Sequence, residues 1–224
     1  MSYPTLRLHP RKEESVLRFH PWIFSGAIAS FSAPVEDGDL VSVVDSKGRP
    51  LGTGHFGGGS IAVRLLSFDA EEVIDRAFYK RRLEAALRLR LSCDLVRPVG
   101  SSDSPNTTYR LVHGEGDSLP GLIIDIYDRT AVVQAHSLGM HQARQTIAEV
   151  LWEVFAEAGD PVLPLEGIYY KSETTLPTRD MRELASDGFL IGHTEAAPIY
   201  ENGVRFTPDW LKGQKTGFFI DQRD

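Results

Sequence analysis

Cysteine is almost missing from this chain, and Cys93 is the sole example in 224 residues. One thiol excludes an intramolecular disulfide framework and any cysteine-rich metal site. It falls in RLRLSCDLV, at the expected end of a helix, and reads as a packed small hydrophobe rather than a nucleophile. Apolar runs of membrane-spanning length are also missing, and the opening MSYPTLRLHPRKEES has no apolar core to serve as a secretory signal. A cytoplasmic protein with no membrane contact is therefore expected. An excess of positive charge is lacking too: the formal net charge is −7, which argues against a uniformly basic nucleic-acid binder. Finally, there is no Walker-type phosphate loop, no His-Glu-x-x-His and no Gly-x-Ser-x-Gly. The run Gly52-Thr53-Gly54 lies inside a predicted strand, so its glycines read as sheet geometry rather than as a dinucleotide loop. No catalytic residue and no metal ligand is assigned in this chain.

What is present is ordinary globular composition, 42% hydrophobic and 25% charged, with two local basic clusters. Arg7, Arg11, Lys12 and Arg18 lie near the start; Lys80, Arg81, Arg82, Arg88 and Arg90 follow. RNA binding needs a local patch rather than a positive total, although each cluster taken singly reads equally as a solvated face.

Residues 1–70 read as a small β-rich unit. LVSVVDSKGRPLGTGHF predicts a hairpin turning at Asp45-Ser46-Lys47-Gly48, and IAVRLLSF another strand. Ahead of them a short charged helix over about residues 12–19 stops at Pro21, with Trp22 and Phe24 expected to anchor the turn in a small core. Over 74–95, Ile74, Phe78, Leu83, Leu87 and Leu91 recur at helical spacing. Residues 97–106 are loop, after which TYRLVHG, GLIIDIYD and TAVVQAH predict strands, the last two paired through Asp128-Arg129. A single amphipathic helix is expected over 140–158, then strands GIYYK and GFLIGH. The order implies an α+β layer arrangement rather than a βαβ repeat. APIYENGVRF predicts one more hairpin, and the polar-aromatic segment after it reads as an unfinished motif in a truncated chain.

Two segments carry further signal. Gly114-Glu115-Gly116-Asp117-Ser118-Leu119-Pro120-Gly121-Leu122 is a glycine-punctuated acidic loop between apolar strands, preceded by Arg110 and followed by Asp125. By chemistry alone it reads as a structural turn tied together by its carboxylates. Lys215-Thr216-Gly217-Phe218-Phe219-Ile220-Asp221-Gln222-Arg223-Asp224 sets aromatics beside a carboxylate, an amide and a guanidinium. Such a set suits stacking on a base and bonding its polar edges, and suits equally an amphipathic entry to a further domain.

Together with HPWIFSGAI, the motifs EGDSLPGL and KTGFFIDQRD resemble the PUA-containing SAM-dependent methyltransferases of bacteria and archaea, which include a 23S rRNA 5-methylcytosine enzyme. The three occur in family order between about residues 6 and 224. Ser118 departs from the family's usual glycine.

The resemblance implies a barrel-like PUA domain at 1–70, a sandwich-type central domain at 75–195, and over 198–224 the first hairpin of a Rossmann-like methyltransferase domain. It implies S-adenosylmethionine (SAM) as cofactor of the full-length protein, with Lys215, Thr216, Phe219, Asp221, Gln222 and Arg223 lining its cleft. Ribosomal RNA is the implied partner, gripped through Arg11, Lys12, Arg18 and His20 and extended by Lys80, Arg81 and Arg82; a homodimer stays open. The catalytic core is expected to lie beyond this chain, and a complete non-catalytic PUA-type RNA-binding or assembly module is the alternative.

Overall fold

In the computed structural model, which describes residues 3–101, 103–177, 186–218 and 220, the strands form sheets of six, five and two. The six-stranded sheet comprises β1 (Thr5–Leu8), β2 (Trp22–Phe24), β3 (Ile28–Phe31), β4 (Leu40–Val44), β5 (Pro50–Phe56) and β6 (Ile61–Ser67), in the order β2-β6-β5-β4-β1-β3. Its two edge strands are consecutive in the chain, joined by the 3-10 turn Ser25–Ala27. Three linking residues reach about 14 Å at most. A flat sheet of six strands would hold its edges about 24 Å apart. The sheet must therefore curl.

Alternation fills the inside of that curl with Leu6 and Leu8, Val41 and Val43, Val63 and Leu65, joined by Ile23 and by Val16 from α1 (Glu14–Leu17). Each such side chain contributes roughly 1.5–3 kcal/mol on burial. Gly54 behaves as sheet geometry: a Cβ there would lie 2.2 Å from the Arg64 carbonyl oxygen on the neighbouring strand. Two details differ from expectation. Helix α1 is a single turn, and the core residue of β2 is Ile23, while Phe24 on the opposite side is 53% exposed.

The five-stranded sheet holds β7 (Thr108–His113), β8 (Leu122–Tyr127), β9 (Thr130–Ala135), β10 (Gly167–Tyr170) and β11 (Gly188–Gly192), in the order β11-β10-β9-β8-β7. One face is covered by α2 (Arg76–Ser92) and α4 (Arg144–Ala158), which pack together. Asp75 caps α2 by accepting the Phe78 N–H at 2.9 Å, and the face bearing Phe78, Leu83 and Leu87 is buried. The helix stops at Ser92, ahead of Asp94 with its left-handed φ of 54°.

The expected helix over 140–158 is two helices. A short α3 (Leu138–Gln142), capped by Ser137, ends at Ala143, where ψ is −5°. There the Arg144 guanidinium donates to the His141 carbonyl at 2.7 Å, and the His141 ring bonds the Tyr170 hydroxyl at 2.7 Å. The topology adds one feature to the expected α+β layers. β10 pairs parallel with β9, so β9, the α3–α4 pair and β10 make one βαβ crossover within an otherwise antiparallel sheet.

On the other sheet face lies the hairpin β12 (Ile199–Glu201) and β13 (Val204–Phe206), with Trp210 and Ile220 packed on Tyr127 and Val132. Alternation in β8 sends Ile124 and Ile126 to the helices but Asp125 and Tyr127 to this second face. Asp125 is fully buried. Its carboxylate accepts Arg110 Nε at 2.8 Å and Nη2 at 3.0 Å, and the Thr216 hydroxyl at 2.6 Å. Tyr127 completes the set by donating to Thr216 Oγ1 at 3.0 Å, its phenol pushed up by burial. Removing one partner of such a buried pair leaves the other uncompensated. Asp125→Asn is therefore expected to cost about 3–5 kcal/mol in urea unfolding. A loss below about 1 kcal/mol would show that the network does not hold the second face.

Candidate nucleic-acid interface

The expected RNA-contacting residues of the first unit stand together. Arg11, Lys12, Arg18 and His20 are all exposed, on the segment that wraps α1 and leads into β2. Among the described residues, Arg11, Lys12 and Arg18 have no salt bridge. His20 instead accepts the Trp22 N–H on Nδ1 at 3.1 Å. Between them Phe19 sits 74% exposed at a left-handed φ of 61°, its ring edge-on to Phe68 at 5.3 Å. An exposed aromatic in a segment whose cations make no salt bridge among the described residues suits stacking and phosphate contacts at once. Sequence reasoning missed Phe19; the residues that mark it are its charged neighbours and the following His20-Pro21.

The second basic set is differently placed. On α2, Lys80 pairs with Glu157 at 2.7 Å and Arg81 with Glu72 at 2.8 Å. Arg82 lies 3.6 Å from Glu72 and 5.0 Å over the Phe78 ring. Their charges are largely answered within the fold.

The acidic loop does two jobs. Asp117, in the 3-10 turn Gly114–Asp117, takes both Arg90 terminal nitrogens and the His113 N–H at 2.6 Å, as a loop-tying carboxylate should. Ser118 occupies the left-handed region, φ 57°, which explains why glycine suits that place. Glu115 turns away and accepts the Trp22 indole N–H at 2.7 Å, joining the curled sheet to the central domain. Trp22 is thereby half-buried and committed. A tighter junction forms where the His55 ring lies against Gly139: any Cβ there would come within 2.2 Å of it. Alongside opens a cleft of about 280 Å3, lined by Asp37, His55, Ser60, Arg64, Ser137 and Leu138 among others.

In the 198–220 segment, Lys215 is exposed at a φ of 54°, whereas Thr216 is buried with its hydroxyl engaged by Asp125 and Tyr127. Lys171 anchors the segment, donating to the Trp210 carbonyl at 2.7 Å and the Gly213 carbonyl at 2.6 Å. Phe219, Asp221, Gln222 and Arg223 lie outside the described residues. Among the described residues no group of three or more His, Cys, Asp or Glu side chains could hold a metal, and no helix is long and apolar enough to cross a membrane.

Residues 6–68 match the PUA-like domain family. This match falls on the residues that form the six-stranded sheet. Over its whole length the chain is similar to ribosomal RNA large subunit methyltransferase I. It is 39% identical to that of Shewanella amazonensis over 222 residues, which is 98% of this chain and 52% of the relative. It is 35% identical to that of Klebsiella pneumoniae, over 99% of this chain and 52% of the relative. The chain thus spans about half the length of the curated relatives it matches. Among solved structures, a Streptococcus mutans protein described as a SAM-dependent methyltransferase superposes with a TM-score of 0.75 at 20% identity, covering all of this chain and 52% of that one. A protein described as a methyltransferase complexed with S-adenosylhomocysteine gives 0.76 at 20% identity, with the same coverage. At that identity the likeness is one of fold.

The PUA–central junction carries a pH signature. Burial holds the His55 imidazole down at about 4, from an ordinary 6.5, and the nearby Arg64 charge adds to this. The unfolded chain therefore binds a proton that the folded chain refuses between those values. Stability present above pH 6.5 is lost as pH falls towards 4, to a total of about 3 kcal/mol. Urea unfolding at pH 7.5 and 4.5 should show a difference of about 2–3 kcal/mol that shrinks in His55→Leu; an unchanged pH dependence in the variant would refute this.

Proposed function

We propose that this chain is the RNA-recognition part of a SAM-dependent rRNA methyltransferase acting on cytosine C5 of large-subunit rRNA. The observation that carries this is the similarity to ribosomal RNA large subunit methyltransferase I, which takes in 98–99% of the chain and about half of each relative. The PUA-like match at 6–68 and the uncompensated cations on that same unit support RNA as the partner.

In this proposal Arg11, Lys12 and Arg18 neutralise phosphates, and His20 and Phe19 meet the strand between them. Phosphate contacts of this kind set register and orientation rather than sequence. Lys80, Arg81 and Arg82, already answered by acids, extend the surface only weakly. Methyl transfer at C5 calls for a nucleophile at C6 of a base withdrawn from its stack, with SAM supplying the methyl group. A SAM cradle of the Rossmann kind needs a strand, a glycine-rich turn and a helix in that order. The described residues of 198–220 do not fit it by themselves: Thr216 is spent on Asp125, so its role here is to position the segment. Lys215, Phe219, Asp221, Gln222 and Arg223 remain the proposed lining of the cleft that a catalytic domain would complete.

Two measurements test this. Binding of a 23S rRNA fragment should weaken steeply with salt. The combined change Arg11→Glu, Lys12→Glu and Arg18→Glu should lower the slope of log K against log salt by about 2, at roughly 0.7 per phosphate contact on single strands. A slope unaltered by the triple change would overturn the assigned surface, and salt-independent or absent binding would overturn the RNA role. Titration of the chain with SAM should show no micromolar binding; a micromolar site would place the cofactor within these residues instead.

A further inference from the structure

The cleft between the curled sheet and the central domain holds groups that the surface just described does not use. Arg64 lies mid-way along β6, where alternation sends Val63 and Leu65 into the core and turns Arg64 to the other face. Directly opposite it on β5 stands His55, and on its other side, on β2, Trp22. The three side chains thus stand in a row across one sheet face.

Arg64 is half-buried, yet it has no hydrogen bond or salt bridge among the described residues. Glu115, whose charge acts on it, lies beyond ion-pairing distance and already accepts the Trp22 indole. A guanidinium stays charged under all ordinary conditions, so a partly desolvated one without a partner is costly to maintain. His55 beside it is 6% exposed, and its Nδ1 also has no hydrogen-bond partner.

Facing these groups is the loop Gly57-Gly58-Gly59-Ser60, which lines the same cleft. Two of its N–H groups are bonded: Gly57 donates to the Ala62 carbonyl at 2.9 Å and Gly58 to Asp37 Oδ1 at 2.6 Å. Those of Gly59 and Ser60 have no partner among the described residues, and both residues are exposed. A guanidinium and two unbonded backbone N–H groups lining one cleft is the chemistry of an anion site.

We infer that this cleft binds a phosphodiester of an RNA strand, held by the Arg64 guanidinium and the N–H groups of Gly59 and Ser60, with His55 as its buried floor. Asp37 is the single acid among the described lining residues. By fixing Gly58 it shapes the loop, and its own charge disfavours a doubly charged free phosphate relative to a singly charged diester. The RNA part of the inference rests on the function proposed above, whereas the phosphate part stands on the cleft alone.

The test uses the whole chain, 15N-labelled, titrated at low salt with a single-stranded RNA dodecamer and separately with inorganic phosphate, following the amides of Gly59 and Ser60. The RNA should move both amides, and phosphate at equal concentration should move them less. Arg64→Gln should weaken RNA binding about ten-fold, the loss of one charge-assisted contact. Arg64→Lys, which keeps the charge and the fold but loses the planar fork, should lie between. If RNA binds while both amides stay still and Arg64→Gln binds normally, the cleft site is overturned and the RNA role stands. If phosphate moves the amides and RNA does not bind, the RNA role falls and the cleft is a free-phosphate site. If neither ligand moves them and no RNA binds, both fail.

Discussion

A carboxylate buried in a sheet must be paired or it destabilises everything around it, and Asp125 shows how much one such group can organise. It lies on the face of β8 turned away from the helices, fully removed from water. Its two oxygens are answered by Arg110 from the neighbouring strand and by Thr216, 91 residues further on. The 198–220 segment is therefore held by more than apolar contact. If it lifted away, Thr216 and Tyr127 would lose their bonds, Lys171 would lose two carbonyls, and Trp210 would be exposed. Apolar packing makes that second face cohesive, and the polar network gives it one register.

The same logic joins the curled sheet to the central domain. Domains within a chain move relative to each other by default unless the interface is specific. Here it is specific at several points: Trp22 with Glu115, the His55 ring against Gly139, and the Tyr3 hydroxyl accepting the Ile74 N–H at 3.1 Å. These contacts set the basic surface around α1 at a defined angle to the central sheet and leave the cleft beside Arg64 as a feature of the joined pair. If the proposed RNA contacts are made, such rigidity serves them, since phosphate contacts orient a strand only if the cations themselves are held in place.

Much of the fold was legible because its signals are local. The Asp45–Gly48 turn, the period of two in β4 and β8, and the helical recurrence of Phe78, Leu83 and Leu87 each depend on neighbours within a few residues. The misreadings share a cause. Trp22 and Phe24 look like the core of their turn, yet the strand period selects Ile23 between them. The 140–158 pattern reads as continuous, yet the helix is interrupted at Ala143, beside His141, whose ring bonds Tyr170 on another strand. The parallel pairing of β9 with β10 is invisible in either strand alone. Among candidate site residues, Arg11, Lys12 and Arg18 form one exposed group, whereas Lys80 and Arg81 meet Glu157 and Glu72, and Thr216 faces inward.

What the sequence alone made legible was the kind of most elements and the resemblance carried by HPWIFSGAI, EGDSLPGL and KTGFFIDQRD, because these depend on short-range periodicity and on residue identity. It also determined that one cysteine and a net charge of −7 leave neither a disulfide scaffold nor a generally basic surface. Which charges are paired among the described residues emerged only from the folded arrangement. That distinction depends on partners such as Glu72 for Arg81, Glu157 for Lys80 and Asp125 for Arg110. That Arg64 makes no hydrogen bond or salt bridge among the described residues is likewise a three-dimensional fact. Charge is written into a residue, but its neutralisation is a matter of distance, and distances between remote segments exist only once the chain has folded.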